Sequence, residues 1–291
     1  MRVTQFQTDR TFLTNIGSLN ERLDLANQQI ASGKKLLSLK DSPEGSAEMI
    51  GLRKELDDID QYRANADIGN LYVGVADSAL SSVYTVVTTI FTKGSAATSG
   101  LVDANGRVAL ASEIRTLRDQ VLSLANSNVR GRYIFAGSQT NSPAFSIAGD
   151  AVTYDGDQVV NKISVGDSVE VQQGLAGDGV FSPVFSTINQ LLTAVDSGDD
   201  AGIQTALAQF SGGLSSLNQI RVRLGVDQNS LLDAKNEQDS LELVIKSRKS
   251  TLQDADIVEA VTQLQQIQTA LQVALTAHSS TQRKSLFDYI G

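Results

Sequence analysis

The chain has 291 residues, 41% hydrophobic and 20% charged, which gives room for two or three domains and a sizeable core. A net charge of −9, one histidine and no cysteine exclude a phosphate-gripping nucleic-acid surface, disulfides, thiolate chemistry and a zinc site. Aromatics make up only 5%, and long helices packed along shallow seams need fewer of them than a globule does.

In chain order, Met1–Arg10 has no apolar stretch of the kind that marks a cleavable signal, so export would have to read an uncleaved terminus. No run of 18 apolar residues is evident, and no membrane insertion is expected. The first helix carries Phe12, Ile16, Leu19, Leu23, Ala26 and Ile30 at alternating spacings of four and three, the 3.5-residue period of a coiled coil. Gly33 ends it. A loop from Ser32 to Ser46 contains Lys34, Lys35, Lys40 and Pro43, and Asp41, Ser42 and Glu44 make a helix start.

A second seam runs Met49, Leu52, Leu56, Ile59, Arg63, Ala66, Asn70, Val73, Asp77, Leu80, Tyr84 and Val87. Its polar members Arg63, Asn70 and Asp77 have two readings. They fix register from inside the seam, or the helix rotates and presents Tyr62, Ile68 or Leu71 instead. A turn over Gly94–Gly106 leads to a third helix with seam Leu110, Ile114, Leu117, Val121 and Leu124, ending near Asn126–Gly131.

Residues 131–185 change grammar to glycines, short alternating runs and turn signals. Val152–Tyr154 and Val159–Val165 are expected to form a hairpin around Asp155-Gly156-Asp157, with another turn at Gly166-Asp167. Helices resume from Phe185. Asp199 and Asp200 cap the next, whose seam includes Ile203, Leu207, Phe210, Leu217, Leu224 and Leu231, and Gly212-Gly213 and Gly225 make a kink possible there. The last helix has the seam Ile257, Val261, Leu264, Gln268, Leu271, Leu275 and His278.

The fold class is therefore mainly α: a long antiparallel coiled coil or bundle formed by both chain ends, with a small β-rich domain inserted in the middle. The expected division is 1–42 with 250–291 as a terminal coiled coil, 43–130 with 186–249 as a helical rod, and 131–185 as a β-rich outer domain. Apolar stripes at both extremities must be covered by each other or by further copies, which points to assembly.

Catalytic chemistry finds no footing. His278 lies on a seam without a nucleophile near it in sequence, Gly174–Gly179 lacks the spacing of a phosphate loop, and Asp155 and Asp157 read as turn residues rather than calcium ligands. The chain is expected to need no catalytic residues, metal or cofactor.

Several motifs together resemble the flagellin superfamily. They are Gln29-Ile-Ala-Ser32-Gly33-Lys34-Lys35 with Lys40-Asp41-Ser-Pro43-Glu-Gly45, then Tyr62, Asn65 and Ala66, then Arg221-Val-Arg-Leu-Gly225 with Asn229, Leu231 and Leu232. Asp254-Ala-Asp256 and the closing Ser285-Leu-Phe-Asp-Tyr-Ile290 fit as well. Gly131-Arg132-Tyr133-Ile134-Phe135-Ala136-Gly137 is similar to the phrase of the branch that joins hook to filament. A filament subunit of divergent sequence is the nearest alternative, and a secreted effector a more distant one.

The resemblance implies an extracellular flagellar subunit, exported by the flagellum's own type III apparatus and self-associating in a ring. Another hook-associated protein and flagellin would flank it, and an export chaperone would hold its C-terminal helix. It further implies that Phe12, Ile16, Leu19, Leu23 and Ile30 pack with Ile257, Val261, Leu264, Leu271 and Leu275 as the assembly interface.

Overall fold

The computed structural model describes residues 2–38, 42–98 and 102–282. Six helices and three two-stranded antiparallel hairpins are present among them: α1 (Arg2–Ser32), α2 (Pro43–Ala97), α3 (Ala104–Ala125), β1 (Asn128–Val129), β2 (Arg132–Tyr133), β3 (Phe145–Ala148), β4 (Ala151–Tyr154), β5 (Asn161–Ser164), β6 (Glu170–Gln173), α4 (Asp178–Ser197), α5 (Asp200–Gln253) and α6 (Ile257–Gln282). The protein is mainly α, and helices from its two ends pack together. Lys40, Asp41 and the closing Ser285–Ile290 motif lie outside the described residues.

The chain divides into two units: Met1–Asp57 with Leu241–Gly291, and Asp58–Ser240. In the first, α1 and α6 pair antiparallel. Gly33, in the left-handed region at φ +67°, ends α1 and donates its N–H to the Gln29 carbonyl at 2.8 Å. The strand-like crossing that follows joins Lys34 to Asp254, with Ala255 N–H on the Gly33 carbonyl at 2.9 Å. Asp256 opens α6 by accepting from the N–H groups of Val258 (2.9 Å) and Glu259 (3.1 Å).

The second unit holds a continuous apolar core. On α2 the buried positions Ile59, Ala66, Val73, Leu80 and Val87 recur every seven residues, as the seam predicted. The helix extends through Ala97, past the expected turn at Gly94. Gly94 sits inside the helix at a close approach, where a Cβ would lie 2.9 Å from Leu191 Cδ2 and 3.0 Å from Leu207 Cδ2. By length and composition α2 is apolar enough to cross a membrane, contrary to the expectation from counting apolar runs. Its Leu80, Val83, Val87 and Ile90 are instead spent on this core.

Three further expectations are corrected. Val152–Tyr154 does not pair across Asp155–Asp157: β4 pairs back with β3, and β5 pairs forward with β6 through the Gly166-Asp167 turn. Helix α4 starts at Asp178 rather than Phe185, with Pro183 inside it. Helix α5 runs unbroken through Gly212, Gly213 and Gly225, where tertiary packing outweighs a local cost of about 1 kcal/mol per glycine. The β segment also shares its core with the helices: Phe135 and Phe145 pack edge-on against Phe181 at ring separations of 4.8 and 5.6 Å.

Candidate assembly surface

The terminal pair is built from a large seam on α1 and a mixed one on α6. On α1, Phe12, Ile16, Leu19, Leu23 and Ile30 are half-buried and Ala26 is buried, the face that the sequence marks. On α6 the covered face is Ala260, Leu264, Ile267, Leu271, Ala274 and His278, again spaced four and three. Leu264 and Leu271 belong to it, and His278 stacks on Phe12 with ring centroids 3.8 Å apart. Ile257, Val261 and Leu275 do not: they are 44%, 37% and 50% exposed, so the expected packing of α1 on Val261 and Leu275 is replaced by packing on Ala260, Ile267 and Ala274. Ala260 and Ala274 let α6 approach the bulky α1 stripe, and Ile257, Val261 and Leu275 turn outward.

Few apolar side chains are covered in this unit. Among the described residues, the buried hydrophobics are Ala26, Met49, Leu52, Ile245, Ala260 and Ile267. Against them stand exposed Phe6, Leu13, Leu243, Val258 and Val273, and a shallow groove lined by Thr262, Gln266, Thr269, Ala270 and Val273. This unit therefore leaves more large apolar side chains exposed than it buries. Among the described residues no cluster of His, Cys, Asp or Glu has the makings of a metal site.

The phrase 131–137 is placed for packing. Arg130 and Gly131 both have positive φ, 53° and 80°, giving the tight turn between β1 and β2. Arg132 Nε donates to Thr140 Oγ1 at 3.0 Å; Ile134, Phe135 and Ala136 are buried. Gly137 is left-handed at φ +69° and lies against the Asp157 backbone, leaving no room for a Cβ. Asp157 organises this corner by accepting from the Ser138 hydroxyl, the Ser138 N–H (2.7 Å) and the Val159 N–H (3.1 Å). Those donors hold its carboxyl below the ordinary range. Tyr154 Oη donates to the Asp157 carbonyl at 2.7 Å.

Sequence reasoning missed a second polar centre. Arg118 sits on the buried face of α3 (Ala111, Ile114, Arg118, Val121, Ala125), one step off the expected leucine seam, with its side chain only 6% exposed. It reaches Asp150 at 2.6 Å and Asp119 at 2.9 Å, while Arg115 reaches Asp150 at 3.3 Å and Asp196 at 2.5 Å. Hydrogen bonds from Arg118, then Arg115, hold the Asp150 carboxyl below its usual value. The cluster ties the β3–β4 tip to α3 and α4. Neighbouring alanines at 111 and 125 are the signal that this face, rather than the leucine face, points inward.

Polar seam members of α2 are also paired. Arg63 Nε lies 3.0 Å from Asp239 Oδ1, a charge contact without hydrogen-bond alignment. Lys235 Nζ donates to Asp67 at 2.7 Å, Gln228 Nε2 to Asn70 Oδ1 at 3.3 Å, and Arg221 Nε to Asp77 Oδ1 at 2.8 Å. Neither reading left by the sequence holds outright: Arg63 and Asp77 are half-buried at the edge of the seam and Asn70 is exposed, while Ile68 packs half-buried against the core and Leu71 stays 40% exposed.

Residues 5–140 match the bacterial flagellin N-terminal helical region, and residues 208–290 the bacterial flagellin C-terminal helical region. The chain belongs to the flagellin superfamily. Over 286 residues it is 28% identical to flagellar hook-associated protein 3 of Escherichia coli (strain K12), covering 89% of this chain and 90% of that protein. It is 24% identical to the protein of the same name in Salmonella typhimurium, with the same coverage. Its fold is shared with a putative flagellar hook-associated protein of Vibrio parahaemolyticus (TM-score 0.68, 18% identity, 74% of this chain and 100% of the other). The flagellar junction protein FlgL of Legionella pneumophila is similar too (TM-score 0.58, 15% identity, 71% and 99% covered). The chain is a structural flagellar protein, not an enzyme.

Proposed function

We propose that this protein is the adaptor that joins hook to flagellin filament, exported through the flagellum's own secretion channel and assembled outside the cell by its terminal helices. The observation that carries the reading is the α1–α6 pair, which covers so few of its apolar side chains that it remains an unfinished core. A helix pair of this kind repays its ordering entropy only when neighbouring copies close over it. In a ring of copies, the outward Ile257, Val261 and Leu275 become subunit contacts while Leu264 and Leu271 hold the pair together. On this reading 1–42 with 250–291 is the assembly core, 43–130 with 186–249 the rod, and 131–185 the solvent-facing part. Support for the junction place comes from the two relatives named hook-associated protein 3 and from the 131–137 phrase. Another hook-associated protein and flagellin would be its neighbours, and an export chaperone would shield α6 before secretion.

Deleting the gene tests this directly. Cells should bear hooks without filaments and spill flagellin into the medium, and gold-labelled antibody should mark a narrow band at the filament base. Decoration along the whole filament would make the chain a filament subunit instead.

A further inference from the structure

We infer that the polar pairs between α2 and α5 act as a register code, holding two long heptad helices at one axial level that their apolar residues alone do not specify. The inference stands apart from the junction reading, because it concerns the second unit by itself. A heptad seam repeats, so an antiparallel pair can slide by seven residues and bury nearly the same hydrophobic set again. Here the buried α2 positions Ile59, Ala66, Val73, Leu80 and Val87 repeat in that way, and Leu217, Leu224 and Leu231 do so on α5. The four polar rungs do not repeat.

In the observed register every rung is complementary: Arg63 with Asp239, Asp67 with Lys235, Asn70 with Gln228 and Asp77 with Arg221. A slip of one heptad toward higher α5 numbers would set Arg63 opposite Lys246 and Asp67 opposite Glu242, two like-charge meetings. The opposite slip would set Arg63 opposite Leu232, Asp67 opposite Gln228 and Asp77 opposite Leu214, which strips all three α2 charges of their partners on α5, while Lys235 alone finds a new one in Asp60. Both neighbouring registers are penalised, by different means. Partly exposed pairs of this sort add little stability. Their value lies in the alternatives they disfavour.

Two glycines offer a rival explanation. Leu231 lies over Gly69, where a Cβ would be 3.0 Å away, and Leu207 lies over Gly94 at the same distance. If these notches fix the level, the polar rungs are decoration.

The chain has no cysteine, so Gly74→Cys and Val226→Cys place two spin labels on exposed positions, one on each helix, with no background. The distance between them in the full-length protein should be single and sharp. Replacing all eight rung residues by alanine should keep helical circular dichroism while raising a slipped population roughly tenfold, from three lost charge pairs. That population would appear as a second distance, with the helices displaced by about 10 Å along their axes. Asp77→Arg alone should broaden the distribution, and Asp77→Arg with Arg221→Asp should restore it. One unshifted distance in the alanine variant would overturn the inference in favour of the glycine notches. So would Asp77→Arg damage that the double exchange fails to rescue, a readout that holds even if the alanine variant does not fold.

Discussion

Replacing Leu271 with Asp tests the link between the terminal pair and assembly. Leu271 is half-buried on the face of α6 that also carries Ala260 and Ile267. Full burial of a leucine is worth about 1.5–3 kcal/mol, so its half-burial contributes about 1 kcal/mol. Partial desolvation of the new carboxylate adds about 1–2 kcal/mol. A loss of about 2–3 kcal/mol shifts the opening of the α1–α6 pair by about 30- to 150-fold. The main core, from Ala66 to Leu231, does not include this site. Hydrogen exchange should therefore speed up in peptides covering α1 and α6 by that factor, while α3 and α4 keep their protection and the principal thermal transition stays in place. In cells, the variant should be exported normally yet fail to support filament growth. Normal filaments, or unchanged exchange in α1 and α6, would refute the reasoning.

Phe181→Ala should destabilise the second unit by about 3–5 kcal/mol in urea titrations, since Phe181 is fully buried between Phe135, Phe145 and Phe185. Gly137→Ala should cost more than about 1 kcal/mol, from the left-handed backbone plus collision with the Asp157 carbonyl, and its proteolysis by thermolysin should accelerate. The Asp150 carboxyl is lowered in the folded state, so its contribution is complete above the ordinary carboxylate value. It is lost as pH falls below about 4. Because Asp150 is 44% exposed, the contribution is discounted to a few tenths of a kcal/mol, about the scale of a surface pair. Urea midpoints at pH 7 and pH 3 should accordingly differ slightly less for Asp150→Asn than for the natural protein.

The helical frame was legible because heptad spacing is a direct imprint of burial: the stripe on α1 and the members Ile59, Ala66, Val73, Leu80 and Val87 on α2 read correctly, while the second buried row of α2 at Tyr72, Ala76, Val83 and Ile90 was not seen. On α6 the phase was misread. The large residues Val261 and Leu275 look like a seam, but the face turned toward Phe12, Ile16, Leu19 and Leu23 is the neighbouring one, where Ala260 and Ala274 alternate with Leu264, Ile267 and Leu271. Size complementarity between two distant segments is invisible to a scan of either one. Arg118 escaped for a related reason, since its burial depends on Asp150 arriving from a hairpin tip. The hairpin partners were misassigned because Asp155-Gly156-Asp157 has the composition of a tip. Ser138 captures Asp157 instead, and the tighter Gly149-Asp150 turn takes the role.

The three hairpins expose the chain to the outside world in unequal ways. Two tips are moored: Asp150 to Arg115 and Arg118, and Asp167 to the hydroxyl of Tyr62. The third, at Arg130-Gly131, stands out in solvent with arginines on either side of its glycine. A trypsin-like enzyme would meet its preferred residue at a bend whose backbone stands clear of the core. Cleavage there would leave both halves joined through one continuous buried core, so a nicked chain would keep its shape.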